Sequence, residues 1–302
     1  MIVVTSGKKY IDIDAYASCI AYSELLKLKG KKSKAISTAK LNESITKCLR
    51  NLSIGLDNYK PTIEDKYIVL DVSNKEYFDI FVNEDNIIQV IDHHPGFESY
   101  WKDNKSVESI IEPIGAVATI IFELYKKENL LDKMEKDVGL LLMSAILDNT
   151  LNLKAKITNK RDILAYAELE KKFKLENYAE KYFNECQIEI ENNLKQAIEN
   201  DTKLEKINDT IPPIFAQLTI WSKEAILNNI ELIYDTIENI GEKWMLNLIC
   251  LKEGKSYIIT KNQDVQRNLQ TLFSGSFTNN IMKLDNVWLR KEIIKLSIIK
   301  NE

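Results

Sequence analysis

The chain has 302 residues, of which 45% are hydrophobic and 28% charged, and its formal net charge is −4. This length exceeds the size at which a single hydrophobic core stops growing, so we expect two domains. The acidic balance argues against binding duplex nucleic acid through a broad basic face, but it permits a local cationic pocket.

The composition also indicates a compartment. No apolar run approaches membrane-spanning length, and the start, MIVVTSGKKY, lacks a basic segment followed by an apolar stretch. We therefore expect neither a signal peptide nor a membrane partner. Cys19, Cys48, Cys186 and Cys250 show no paired spacing, which is typical of buried thiols in a reducing cytoplasm.

The first half of the chain alternates short β-rich runs with helical patterns. Strands are indicated by IVVT (residues 2–5), YIVLDV (67–72) and NIIQVID (86–92), and more weakly by KAIS (34–37). ASCIAYSELLKLKG and GAVATIIFELYKK carry apolar residues at helical spacing. This alternation predicts an α/β fold, with a parallel sheet and helices on both of its faces.

Acidic and imidazole side chains follow three of these strands. They are Asp12 and Asp14 after the first strand, Asp71 at the end of the third, and Asp92, His93 and His94 at the end of the fourth. Ligands of open α/β sheets bind outside the carboxyl ends of the strands. Asp14 alone could be only a helix cap. Carboxylates with imidazoles suit Mn²⁺, Mg²⁺ or Co²⁺, and two such ions ~3.5–4 Å apart can clamp a phosphoryl group.

Four segments, in order across residues 7–162, resemble the motifs of the DHH phosphoesterase superfamily. They are GKKYIDIDAYASCIAY, LDVSN, the Asp92-His93-His94 triplet that gives the superfamily its name, and SAILDNTLNLKAKITNKRD. Further on, NLKQAIENDTKLEKI followed by IFAQLTIW resembles the start of the accessory domain of family II inorganic pyrophosphatases, exopolyphosphatases and prune-type proteins. NVWLRKEII is similar to the Arg-Lys segment near their C-termini.

The other accessory domain of this superfamily, found in RecJ-like nucleases, carries a late glycine-rich motif. Only Gly254 and Gly275 follow Gly241 here, so that type is disfavoured. The resemblance implies an N-terminal parallel-sheet DHH domain over residues 1–185 and a smaller C-terminal α+β domain over residues 190–302. The chain should connect the two near residues 185–189.

The resemblance also implies roles for individual residues. The metal ligands would be Asp12, Asp14, Asp71 and His93, with Asp71 bridging two ions. His94 would be catalytic and face the substrate, with Asp92 orienting the histidines. The phosphate would be bound from the second domain by Lys203, Arg290 and Lys291. By themselves, Arg290 and Lys291 would simply indicate the solvated start of a helix.

Two positions depart from the family pattern. Pyrophosphatases place a histidine after the first-motif glycine, where this chain has Lys8, so one metal would lack its imidazole. Prune-type proteins and some exopolyphosphatases also lack that histidine, and the departure shifts the resemblance towards them. Lys8 could lie beside phosphate or point to solvent.

The second departure lies in the fourth motif. The ungapped match places Asn149 where a ligating aspartate belongs, with Asp148 one residue earlier. Adjacent helix residues diverge by ~100°, so the two cannot occupy one position. An asparagine carbonyl can ligate a hard cation but supplies no charge. We prefer Asp148 as the metal ligand and retain Asn149 as the alternative or as a substrate contact.

The favoured function is therefore a metal-dependent phosphohydrolase that cleaves phosphoanhydride bonds of pyrophosphate or short inorganic polyphosphate. Two ions are expected, Mn²⁺ or Mg²⁺, with Co²⁺ a further candidate. Lys8 and Asn149 favour an alternative, a degenerate relative that binds phosphate compounds or a protein partner without turnover. A nucleotide phosphodiesterase is disfavoured by the acidic charge and the absent glycine motif. Relatives of this kind form homodimers, which makes a homodimer possible here.

Overall fold

The computed structural model describes residues 1–300, and the chain divides into two compact units, Met1–Ala179 and a second unit from Glu180 onward. Each unit has its own five-stranded sheet, in agreement with the predicted α/β fold class. Residues 185–189, where the sequence suggested a connection, lie inside the helix Tyr178–Asn192. Among the described residues, no helix combines the length and apolar character needed to cross a bilayer.

The first unit is built on a parallel sheet. Its strands are β1 (Ile2–Thr5), β2 (Tyr10–Ile11), β3 (Ser33–Ala35), β4 (Lys40–Leu41), β5 (Lys66–Leu70), β6 (Ile87–Asp92) and β7 (Glu108–Ile111). The main sheet has the order β3-β1-β5-β6-β7, and every neighbouring pair is parallel. Strands β2 and β4 form a separate parallel pair. The carboxyl ends of β1, β5 and β6 therefore lie at one edge.

The helices of this unit are α1 (Ile13–Leu28), α2 (Lys47–Arg50), α3 (Glu98–Asp103), α4 (Val117–Lys127), α5 (Lys136–Asn149) and α6 (Lys160–Phe173), with 3₁₀ turns at Lys75–Tyr77, Glu84–Asn86 and Leu131–Lys133. Helices α1 and α5 carry motif residues. Helix α7 (Tyr178–Asn192) begins at the end of this unit and lies mostly in the second. Helix α1 contacts β1, β3, α4 and α5, and it is buried on nearly all sides because it has neighbours all round. These contacts fix the position of α1 against the sheet and against helices α4 and α5.

The second unit has a mixed sheet. Its elements are α8 (Leu194–Asn200), β8 (Thr202–Leu204), β9 (Ile214–Ile220), α9 (Glu224–Leu227), α10 (Ile230–Glu238), β10 (Trp244–Cys250), β11 (Lys255–Ile259), α11 (Gln263–Phe273), β12 (Ile281–Leu284) and α12 (Arg290–Ile299). The order is β12-β11-β10-β9-β8, with only β9 and β10 parallel. Successive side chains of β9 enter different cores: Ala216 and Leu218 join one, and Phe215 joins the other. The sheet is thus buried on both faces.

Candidate metal centre

Asp71 follows β5 in an unusual backbone conformation. Its φ is +59°, in the left-handed region that a residue with a side chain enters at a cost of about 1–3 kcal/mol. Its amide donates to the carbonyl of Ile91 at 2.9 Å, which ties the turn to β6. Its Oδ1 lies 3.3 Å from His93 Nε2 and 3.8 Å from His94 Nδ1. This buried oxygen has no hydrogen-bond partner among residues 1–300.

His93 is held in one orientation by a backbone carbonyl. Its Nδ1 lies 2.9 Å from Ile114 O, so this nitrogen carries a proton and donates it there. The other nitrogen, Nε2, therefore meets the carboxylate of Asp71. Burial alone would lower the pKa of His93, but the close side-chain interaction with Asp71 and its negative charge, followed by the charge of Asp14, outweigh burial and raise the pKa to about 10. Metal binding at Nε2 must displace a proton.

Asp92 organises both histidines. Its Oδ1 accepts from the backbone amides of His93 at 2.7 Å and His94 at 3.1 Å, and from His94 Nδ1 at 2.8 Å. Burial would raise the pKa of Asp92, yet the hydrogen bond and charge of His94 keep it below its usual range. The side chain of His94 is 59% exposed, so its Nε2 can reach a ligand from solvent. Asp92 is thus placed where it could orient the histidines, and His94 where it could face a substrate, as predicted for each.

Asp12 and Asp14 flank the first residue of α1. Asp12 is the N-cap, and its Oδ1 accepts from the Ala15 amide at 3.0 Å. Loss of solvent, followed by the negative charge of Asp71, raises the pKa of Asp12 to about 6. The same two causes raise the pKa of the fully buried Asp14 well above its ordinary value. The negative charge of Asp71 therefore disfavours ionisation of both carboxylates.

Asp14 makes four hydrogen bonds in the interior. Its Oδ2 accepts from Val117 N at 2.8 Å and Asn149 Nδ2 at 2.6 Å, while its Oδ1 accepts from Ala118 N at 2.9 Å and Ser18 Oγ at 3.3 Å. The carboxylate thereby joins the start of α1, the start of α4 and the end of α5.

These contacts distinguish Asn149 from Asp148, the two candidate ligands of the fourth motif. The side chain that contacts Asp14 is Asn149, the last residue of α5. Asp148, our preferred ligand, is half-buried one residue earlier. The ligand atoms of Asp71, His93 and His94 lie within 4.8 Å of one another, and this group does not include Asp148. The role of Asp148 as a metal ligand stays a prediction.

Sequence reasoning missed the group that supports His93. Asp162 is fully buried, and its Oδ2 accepts from the Gly115 amide at 3.0 Å and from Asn159 N at 2.9 Å. It thus holds the loop whose Ile114 carbonyl binds His93. A Cβ at Gly115 would lie 2.6 Å from Asp162 Oδ2, so the loop requires glycine there. Asn159 and Asp162 form a capping box, a spacing visible in the sequence.

The cationic residues predicted to bind phosphate differ in their exposure. Lys8 is exposed, and its amide donates to the Tyr77 carbonyl at 2.9 Å. Lys203 on β8 and Lys291 on α12 are also exposed. Lys203, Arg290 and Lys291 all belong to the second unit.

Arg290 differs from these lysines because it is 8% exposed. Its Nη2 donates to Asp201 O at 2.6 Å and also contacts the Asp201 carboxylate, and its guanidinium lies 5.4 Å from the centre of the Phe215 ring. Arg290 is therefore not the solvated helix start that the residue alone would suggest. Its charge is already paired within its own unit.

The first unit matches a known protein family. The DHH family, N-terminal domain, matches residues 2–146. The first unit therefore contains a DHH-family domain, which confirms the resemblance carried by the first three motifs.

Two curated relatives are probable manganese-dependent inorganic pyrophosphatases. A probable manganese-dependent inorganic pyrophosphatase of Bacillus licheniformis is 27% identical over 172 residues, covering 55% of this chain and 54% of that protein. One from Bacillus mycoides matches to the same extent. The chain thus spans about half the length of these curated relatives.

Solved structures extend the likeness in fold to nearly the whole chain. The putative family II inorganic pyrophosphatase of Methanococcus jannaschii has a TM-score of 0.64 at 19% identity, covering 98% of this chain and 99% of that one. An exopolyphosphatase-related protein of Bacteroides fragilis has a TM-score of 0.54 at 15% identity, covering 99% and 90%. The two-domain fold is therefore shared with these proteins.

Proposed function

We propose that this protein is a divalent-metal-dependent phosphohydrolase that cleaves phosphoanhydride bonds of pyrophosphate or short inorganic polyphosphate. The observation that carries the proposal is the buried, unpartnered Oδ1 of Asp71, 3.3 Å from His93 Nε2, in a DHH domain. The Bacillus relatives, probable manganese-dependent inorganic pyrophosphatases, support this substrate class and manganese. The proposed partner is a small anionic phosphate, and the proposed compartment is the cytoplasm.

The residues present fit a divalent metal. Asp71 offers a buried oxygen without a hydrogen-bond donor among the described residues, and His93 is oriented through Nδ1 so that Nε2 is the ligating atom. Asp71 and His93 would hold the ion, and His94 is the third residue whose ligand atom lies within 4.8 Å of theirs. A carboxylate and imidazole set suits Mn²⁺, with Mg²⁺ and Co²⁺ as further candidates. When bound, such an ion lowers the pKa of water and withdraws charge from a phosphoryl oxygen.

The surrounding residues position the reacting groups. Asp92 accepts hydrogen bonds from His94 Nδ1 and from the backbone amides of both histidines, so it orients the ring of His94 and fixes the backbone of the pair. His94 is the exposed member and would present Nε2 to a phosphate oxygen. The carbonyl of Ile114 fixes His93 from the opposite ring nitrogen. A phosphate oxygen would therefore meet an oriented imidazole beside the metal ligands.

The proposal is tested by phosphate release from pyrophosphate, tripolyphosphate and longer chains, each with Mn²⁺, Co²⁺ or Mg²⁺. We expect metal-dependent release from the short substrates and none from a dinucleotide phosphodiester. Cleavage of the phosphodiester alone would indicate a nucleotide phosphodiesterase. Metal binding without release from any substrate would indicate a degenerate relative that only binds phosphate compounds.

The exposed lysines of the second unit should affect substrate binding and leave metal binding intact. Each charge-assisted contact contributes roughly 1.5–3 kcal/mol, or about tenfold to a hundredfold in affinity. Lys203→Ala and Lys291→Ala are each expected to raise KM for pyrophosphate by about that factor, at unchanged manganese content. Lys206→Ala, which removes another exposed lysine of the same unit, is the matched control. Kinetics equal to this control would assign both lysines to the solvated surface.

A further inference from the structure

The carboxylate of Asp14 has no lone pair left for a metal ion. A carboxylate offers about four acceptor positions. Here Oδ1 accepts from Ser18 Oγ and Ala118 N, and Oδ2 accepts from Val117 N and Asn149 Nδ2, at distances from 2.6 to 3.3 Å. An ion could ligate Asp14 only by displacing one of these donors.

Two of the four donors cannot be released without a large penalty. Val117 and Ala118 begin α4, so their amides have no partner within that helix. Both residues are 0% exposed, so water cannot replace the carboxylate as acceptor. A metal that drew Asp14 away would leave two buried N–H groups unpaired, which is strongly unfavourable. The structure therefore uses Asp14 as the cap of α4, a helix that begins 103 residues later in the chain.

The fourth donor is a side-chain amide, at the fourth-motif position where the resemblance implies an aspartate. Asn149 ends α5, and its Nδ2 lies 2.6 Å from Asp14 Oδ2. Two carboxylates facing each other here would require a cation between them, whereas an amide N–H satisfies Asp14 directly. Asp148 cannot take over this position, because its side chain leaves the helix ~100° away. A second metal would need an acidic side chain at this position. Asn149 supplies an amide instead, which donates a hydrogen bond to Asp14.

We infer that this centre binds a single divalent ion, on Asp71 and His93, and that Asn149 sets this stoichiometry by retaining Asp14 as a structural cap. The inference rests on the proposed metal-dependent function. It departs from the expectation of two ions that the sequence motifs carried, and it leaves open which phosphate compound is cleaved.

Manganese binding to the full chain tests the inference without an activity assay. Titration calorimetry with Mn²⁺, together with elemental analysis after gel filtration, should give one ion per chain for the wild type. The electron paramagnetic resonance spectrum should be that of isolated Mn²⁺, without the exchange coupling of two ions ~3.5–4 Å apart. Two ions in the wild type would overturn the inference, whatever the variants show.

Asn149→Asp removes the amide donor and adds a carboxylate next to Asp14. We expect this variant to bind two ions and to show exchange coupling. Its melting temperature without metal should fall below that of the wild type, because two carboxylates then meet, and Mn²⁺ should raise it more than in the wild type. Asn129→Asp makes the same change at an exposed asparagine of the same unit, so it is the matched control, and it should still bind one ion.

The outcomes separate the two proposals. One ion in both the wild type and Asn149→Asp would overturn the role of Asn149. A second ion in Asn129→Asp would show that any added carboxylate raises the stoichiometry, which would also overturn the role of Asn149. No manganese binding in any variant would overturn the metal-dependent function itself, together with the inference. Should Asn149→Asp fail to fold, the wild-type stoichiometry and its spectrum still decide between one ion and two.

Discussion

Asp71→Ala is expected to lose the divalent metal and, with it, metal-dependent hydrolysis of pyrophosphate. Asp71 supplies the buried oxygen nearest to His93 Nε2, at 3.3 Å, and this oxygen has no hydrogen-bond donor among residues 1–300 to compete with a metal. A metal supplies several kcal/mol of transition-state stabilisation, so its loss corresponds to roughly a thousandfold or more in kcat/KM. Metal content by elemental analysis and phosphate release would be measured on the same sample.

Two further variants make this result specific. Asp71→Asn tolerates the left-handed φ of +59° better than alanine, so it separates loss of charge from strain in the turn. Asp85→Ala removes an exposed aspartate that precedes β6 and should retain metal and activity. A full manganese complement in Asp71→Ala would show that Asp71 is not a ligand.

Asp14→Ala is expected to destabilise the first unit even without metal. Alanine would leave the buried amides of Val117 and Ala118 and the amide of Asn149 without their acceptor. Breaking such a buried network costs about 3–5 kcal/mol, which lowers the melting temperature by roughly 10 °C for a unit of this size. Thermal unfolding followed by circular dichroism in the presence of a chelator measures the effect.

Asp12→Ala is the matched comparison for this prediction. Asp12 caps the same helix but makes a single hydrogen bond to Ala15, worth about 1 kcal/mol. Its loss should lower the melting temperature by only a few degrees. Equal melting temperatures for the two variants would mean that Asp14 does not anchor α4.

Apolar runs predicted the main strands because buried parallel strands are continuous in hydrophobicity. The run YIVLDV nevertheless extended the third predicted strand to residue 72, whereas β5 ends at Leu70. The chain turns at Asp71, whose left-handed φ has no signature in the residue itself. Strands β2 and β4 escaped prediction because two residues cannot show a period.

The sequence could predict which side chains lie at the strand ends, as for Asp71, Asp92 and His93, while their roles remain a prediction. The site was not predictable where the partner is backbone. Asp14 accepts from the amides of Val117 and Ala118, and an amide carries no residue identity that a pattern could reveal. Arg290 posed a different difficulty, since its partner Asp201 lies 89 residues away in the sequence.

The contacts of Asp14 also affect the order of folding. They close loops of 103, 104 and 135 residues, and contacts of such sequence separation form after local structure because loop closure costs entropy first. The metal centre is therefore assembled late, after α1, α4 and α5 have formed. A contact absent from the transition state affects the unfolding rate and not the folding rate. Metal binding at this centre should thus extend the lifetime of the native state without speeding its formation.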